Sequence, residues 1–157
     1  MNQEDGSQMK GKLLALNAES ENDLVIISAL TQDSILKKKN IKWQKKRHRF
    51  SMLLNRFRWE LMHNEIAITV PFKRAQTVLT FDGVLHAFSK GLDHALENEI
   101  LSLLNIRFES RKHLDEIELI FSGKTAILLK IELLRVSLQD LEIKGGVGSS
   151  IVPAHKI

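Results

Sequence analysis

Cysteine is missing from the chain altogether. That excludes disulfides, thiolate nucleophiles and cysteine-ligated zinc, and it suits a reducing compartment. Tyrosine is missing too, so only seven phenylalanines and two tryptophans could offer rings to stack on. Long apolar runs are also lacking. None approaches the roughly 18 residues of a membrane span, and the opening MNQEDGSQMKGK is acidic and polar, unlike a signal peptide. The expectation is a cytoplasmic protein with no membrane partner. What remains is ordinary for a globular chain: 157 residues, 43% apolar and 27% charged, enough for one domain with one core.

One stretch stands apart. Ser34 to Arg74 holds both tryptophans, three phenylalanines and twelve basic residues, opposed only by Glu60 and Glu65, a local charge of +10 against +4 for the whole chain. Its hydrophobic period is two, which predicts strands. Ile35, Ile41 and Trp43 share parity, giving two short strands split near Asn40, with Lys45 to His48 as the following turn. Arg49 to Glu60 reads as one long strand. Its apolar residues fall on both parities, so it either bulges near Asn55 or is covered on both faces.

Around this stretch the rest can be taken in order. Residues 1–11 are polar and aperiodic and predict a disordered arm. KLLAL, from Lys12 to Leu16, predicts a first strand. A helix should then start at Ser20, whose hydroxyl can cap it while Asp23 reaches back, and end between Thr31 and Asp33. His63 to Pro71 reads as a loop or edge strand, since Pro71 has no amide hydrogen to give. Arg74 to Phe81 alternates, Asp82-Gly83 predicts a hairpin turn, and Val84 to Ser89 returns with His86 at the edge of the core. Ile100, Ser102, Leu104, Ile106 and Phe108 predict one face of a further strand. Ile117, Leu119 and Phe121 follow, a turn at Gly123-Lys124, and a return strand from Ala126 whose end, LLRVSLQDL, also fits a helix. The glycine-rich residues 142–157 predict a flexible tail. Leu53-Leu54-Asn55-Arg56-Phe57 echoes Leu103 to Phe108, from a duplication or simply from two similar strands.

Motifs with chemistry are scarce. Ser122-Gly123-Lys124-Thr125 ends like a phosphate-binding loop, but Glu118 stands where the first glycine is required, so a hairpin turn is expected. The six histidines show no metal-ligand spacing, and His94 follows Asp93 in a loop. No serine sits in a nucleophile elbow. Glu116 and Glu118 alternate with apolar residues and belong to a solvent face. No catalytic residue, cofactor or metal is expected. An enzyme would need a site assembled from scattered residues such as Asn55, Arg56, Asp82, His86 and Arg107. The binding candidates are Lys45, Lys46, Arg47 and Arg49 at the turn, with Arg56, Arg58 and Arg107 on strands. Phosphates and bases could meet such a surface. Equally, lysine on an edge strand guards against sheet aggregation, and the aromatics sit at core parity.

KLLAL, DLVIISALTQDSI, RFSMLLNRFRWE, LTFDGVLHAFSKGLD, LSLLNIRFE and SGKTAILLKIELLRVSLQDL, in this order and spacing, resemble the successive blocks of an uncharacterised bacterial family, number 2948 among the domains of unknown function. The resemblance spans Lys12 to Leu141 and implies a small bacterial domain without assigning any activity. The fold expected is α+β: a single domain over 12–141, with an N-terminal strand and short helix on a curved, mostly antiparallel sheet of six to eight strands, or a partly open barrel of pleckstrin-like kind. The function expected is a non-enzymatic binding or scaffold module, self-associating or taking an anionic protein partner. The alternative is RNA or single-stranded DNA binding through the hairpins between Lys37 and Arg58.

Overall fold

The computed structural model describes residues 12–61, 74–92 and 96–144. They form one α+β domain with elements β1 (Ala15–Ala18), α1 (Glu21–Thr31), β2 (Ser34–Lys37), β3 (Ile41–Gln44), β4 (Arg49–Phe57), β5 (Arg74–Lys90), β6 (Ile100–Glu109), β7 (Asp115–Phe121) and β8 (Thr125–Lys144). The expected arm, the His63–Pro71 segment, His94 and nearly all of the glycine-rich tail lie outside the described residues.

The helix forms where its start signal stands. Ser20 Oγ accepts the Asp23 amide at 3.2 Å, satisfying one of the free donors of the first turn. The Asp23 carboxylate takes the amide of Glu19, one residue before the cap, at 3.5 Å. Leu24 and Ile27 are buried while Val25 and Ile26 face out. The helix lies chiefly on β6, with further contacts to β1 and β4.

All strand pairings are antiparallel. They run β8–β5–β4–β2–β6–β7 and return to β8, with β1 added beside β8 and β3 beside β4. The curl brings the sheet back on itself, but β2 meets β4 through one facing pair only, Ile35 and Asn55. The result is a strongly curved sheet with an open seam. Its concave side holds the core, including Phe50, Met52, Leu54, Leu79, Phe81, Leu103, Leu119, Phe121 and Leu129. Burying each such side chain stabilises the fold by roughly 1.5–3 kcal/mol.

Several elements differ from the sequence expectation, each for a local reason. The first strand begins at Ala15, because the Leu14 amide goes to the Asp140 carboxylate instead of a ladder. The fourth ends at Phe57, where the chain tightens into a turn over Trp59–Leu61. It has no bulge at Asn55, since its register with β5 is unbroken from Arg49 to Phe57. Phe57 is buried on the second face against Trp59 and Leu61.

Asp82-Gly83 is not a hairpin turn. The fifth strand runs through it for 17 residues. Gly83, at φ +76°, bends the β5–β8 pair, and the register shifts on both sides of Val84. That shift turns His86 and Phe88 outward, where they stack at 6.3 Å, so His86 is exposed and not at the core edge. A bulge also interrupts β6 between Leu103 and Asn105. Leu101 and Leu103 are therefore the buried residues of its first half, not Ile100 and Leu104, while Ile106 remains buried beyond it. The bulge is held by the helix: Ser28 Oγ donates to Asn105 Oδ1 at 3.0 Å and accepts the Ile106 amide at 3.0 Å. The ambiguous LLRVSLQDL is strand, and β8 continues to Lys144, three residues past the boundary expected at Leu141. Gly123-Lys124 is a turn, as expected. The echoing segments lie on β4 and β6, but Leu54 is buried and Leu104 exposed, so they do not occupy equivalent environments.

Candidate functional site

The basic stretch divides by direction. Lys37, Lys39, Lys42, Lys45, Lys46 and Arg47 are exposed. They follow one another along β2, a 3-10 turn over Lys38–Asn40, β3 and a second such turn over Lys45–Arg47. Among the described residues none of these six forms an ion pair, whereas Lys38 reaches Glu97 at 4.0 Å. Among the described residues the third strand is paired with β4 alone, so Lys42 and the turns on either side of it lie along an edge, while Lys37 faces Ile100 of β6. The rings of the same stretch turn inward. Phe50 and Phe57 are buried, Trp43 packs on Phe50 at 6.4 Å, and Trp59 donates its indole N–H to the Gln32 carbonyl at 2.7 Å.

Arg47 apart, the candidate arginines are engaged. Arg49 donates to Asp82 at 2.8 Å. Arg107 pairs with Glu118 at 3.1 Å on the β6–β7 face, beyond the Ile100–Leu103 part of β6 that pairs with β2. Glu116 and Glu118 do face solvent, in a charge ladder that includes Arg111 and Lys130. Arg58 is buried beside Glu60, and burial draws its pKa below the ordinary arginine value, opposed by the Glu60 charge. Arg56 is fully buried. Its Nε and Nη2 donate to Asp140 at 2.9 Å each, and Nη1 and Nη2 donate to Glu60 at 2.8 Å each. Arg56 and Arg58, candidates for binding on sequence, are thus interior residues, because a guanidinium in the core must be met by carboxylates. The partner sequence reasoning missed is Asp140. It stands at inward parity in β8, and an inward acid opposite an inward arginine was the available signal.

Asp140 ties its own strand, β8, to β4, to β5 and to the residue that precedes β1. Besides Arg56 of β4 it accepts Thr77 Oγ1 of β5 at 2.7 Å and the Leu14 amide, just before β1, at 2.9 Å. Burial pushes its carboxyl up, but the bonds from Arg56, Leu14 and Thr77 outweigh this and hold it below the usual carboxylate range. The folded state therefore binds this proton less readily than the unfolded chain, whose value is about 3.9. The stabilisation is complete above that value and fades as pH falls through the folded one. Urea denaturation below pH 4 should show a steeper loss of stability in the natural chain than in Asp140→Asn, which has no such carboxyl to protonate. Equal slopes would contradict this.

A cleft of about 220 Å³ opens at the β2–β4 seam. The three residues Lys38–Asn40 lie between the part of the edge paired with Asn55 and the part paired with Met52. Leu53 and Leu54 of β4 therefore have no facing residue on that side. Lys37, Lys39, Asn55 and Gln76 line the cleft together with Leu53 and Leu54. Asn55 Oδ1 is buried there and accepts no hydrogen bond from the described residues. The enzyme-type set is not gathered: Asn55 lines this cleft, Arg56 points into the core, Asp82 holds Arg49, His86 lies past the bend of β5, and Arg107 is on β6. Among the described residues no cluster of histidine and acidic side chains could hold a metal ion, and no helix is long and apolar enough to cross a membrane.

Comparison with known proteins places residues 14–155 under one family model, described as Protein of unknown function (DUF2948). No curated protein and no solved structure matches.

Proposed function

Because the chain belongs to the DUF2948 family, whose description assigns no chemistry, we propose from the surface alone that it is a non-enzymatic binding module whose basic β2–β3 edge takes an acidic segment of a partner protein. We place it in the reducing cytoplasm of a bacterium, following the cysteine-free composition and the family resemblance. The observation that carries the reading is the row of six exposed cations from Lys37 to Arg47, none of which pairs with an acid among the described residues. Such a field attracts anions of any kind. The inward-turned rings favour a protein over nucleic acid, since base stacking needs exposed aromatic faces and Trp43 and Phe50 are committed to the fold. The scattering of Arg56, Asp82, His86 and Arg107 supports binding over catalysis.

The test is sedimentation of the full chain with poly-glutamate and, separately, with single-stranded RNA of equal length. Poly-glutamate should bind at low ionic strength and weaken as salt shortens the screening length. The triple variant K45E/K46E/R47E should bind at least tenfold more weakly with an unchanged melting temperature, because all three side chains are exposed. Tighter binding of RNA would turn the reading toward nucleic acid, and no binding of either at low salt would end it. A dimer without peptide would favour self-association, for which the Leu85–Lys90 part of β5 has β8 on only one side and an exposed Phe88.

A further inference from the structure

We propose that the seam cleft binds the carboxy-terminal residue of a peptide, or a free N-acyl amino acid of the same chemistry: an apolar side chain, an amide N–H and a carboxylate. The inference rests on the binding-module reading and makes it specific to one site.

The cleft follows from sequence. Lys38–Asn40 exceed what β4 can pair, so the edge leaves β4 at Leu53–Leu54 and the wall of the sheet opens. Leu36 and Leu54 are core residues, both buried, and both also line the cleft. An entering group therefore meets apolar surface. At the rim, Ile35 and Ile100 add to that surface.

Two polar features fix the rest of the ligand. Asn55 Oδ1 is buried with no donor among the described residues, although buried acceptors in folded proteins are normally satisfied. Asn55 faces Ile35 on one side and Gln76 on the other, and neither supplies the bond. A ligand N–H would. Lys37 and Lys39 stand at the same cleft, exposed and without ion pairs among the described residues, and supply cations for a carboxylate. The volume decides the scale. At about 220 Å³ the cleft lies below the range of roughly 300–1,000 Å³ usual for cofactor-sized ligands, which leaves room for one residue and not for a nucleotide. Unpaired backbone at Leu53–Leu54 is also the kind of edge to which an extended peptide adds.

The experiment is a titration of the isotope-labelled full chain, followed by amide and side-chain NMR shifts. The probes are N-acetyl-leucine, N-acetyl-leucinamide, and a glycine-rich pentapeptide ending in a free leucine. The expected result is saturable shifts at Leu53, Leu54 and the Asn55 side-chain amide with the two carboxylates, and at least tenfold weaker binding of the uncharged amide. Asn55→Leu and, independently, the exposed-site variant Lys39→Glu should each reduce carboxylate binding at least tenfold; Lys39→Glu keeps the test alive if Asn55→Leu does not fold. A pentapeptide that binds more tightly than N-acetyl-leucine assigns the cleft to chain ends, and equal affinity assigns it to the free N-acyl amino acid. Equal binding of N-acetyl-leucinamide, or no shifts at these residues at millimolar probe, overturns the proposal. Poly-glutamate binding that survives such a failure would leave the basic edge standing without the cleft. Retained N-acetyl-leucine binding by K45E/K46E/R47E would show the reverse.

Discussion

Arg56→Ala should lower the free energy of unfolding by about 3–5 kcal/mol, the range for removing one partner of a buried ion pair. The size comes from what is left behind. Without the guanidinium, the Asp140 carboxylate, itself fully buried, keeps only Thr77 and the Leu14 amide, and Glu60 loses its bidentate partner. For a domain whose total stability is of the order of 5–15 kcal/mol, this is a large share. Arg56→Lys should recover only part of it, since an ammonium cannot serve two carboxylates with the planar fork that the geometry uses. The double variant Arg56→Met/Asp140→Leu should lose less than the sum of its single changes, because it removes both buried charges together. Urea denaturation of the four proteins checks this. A loss under 1 kcal/mol for Arg56→Ala would mean that the network contributes nothing beyond packing.

The second large effect is expected at Gly83. Valine there should destabilise the fold by about 2–4 kcal/mol, combining the cost of a left-handed backbone with that of an overpacked contact. Gly83 has φ +76°, and a Cβ would stand 2.9 Å from Leu133 Cγ and 3.2 Å from the Leu133 carbonyl oxygen. Gly123 provides the control. It has a similar φ, +73°, but open space where the Cβ would go. Gly123→Val should therefore show backbone strain alone, about 1–2 kcal/mol. Thermal unfolding of both variants separates the two contributions. Equal losses at the two sites would show that Leu133 moves aside freely.

Gly83 also shows where sequence reading reaches its limit. Asp-Gly between alternating runs is the strongest short hairpin signal, yet here the same positive φ bends a strand that continues. The difference lies in β8, whose residues 132–134 fill the space opposite Gly83, and no local window contains both. The β6 phase was hidden for a like reason, since its bulge is stabilised by Ser28 of the helix, 77 residues away from Asn105. What was legible was local: the Ser20 cap, the split between β2 and β3, the Lys45 turn, and the alternation of β7. At the candidate site parity accounts for Lys42, but Lys37 and Lys39 share the odd parity of Ile35, Ile41 and Trp43, and they are exposed because Leu36 and not Ile35 is the buried apolar residue of β2. The interior position of Arg56 follows the same parity as Phe50, Met52 and Leu54, but the carboxylate that meets it there, Asp140, is 84 residues away in β8 and outside any local window. The cleft itself depends on a mismatch in residue count between two paired edges, which only a known register reveals.

The pairing of β1 with β8 has a consequence for how the protein is made. The Leu14–Asp140 bond joins residues 126 apart, and among the described residues β8 is the only strand beside β1. At ribosomal speeds of roughly 5–20 residues per second, the interval between them is on the order of ten seconds. During synthesis the first strand has no neighbour to pair with, β7 has only one of its two, and Arg56 waits in an emerged β4 for its second carboxylate. The last strand made is the one that lets the first strand dock.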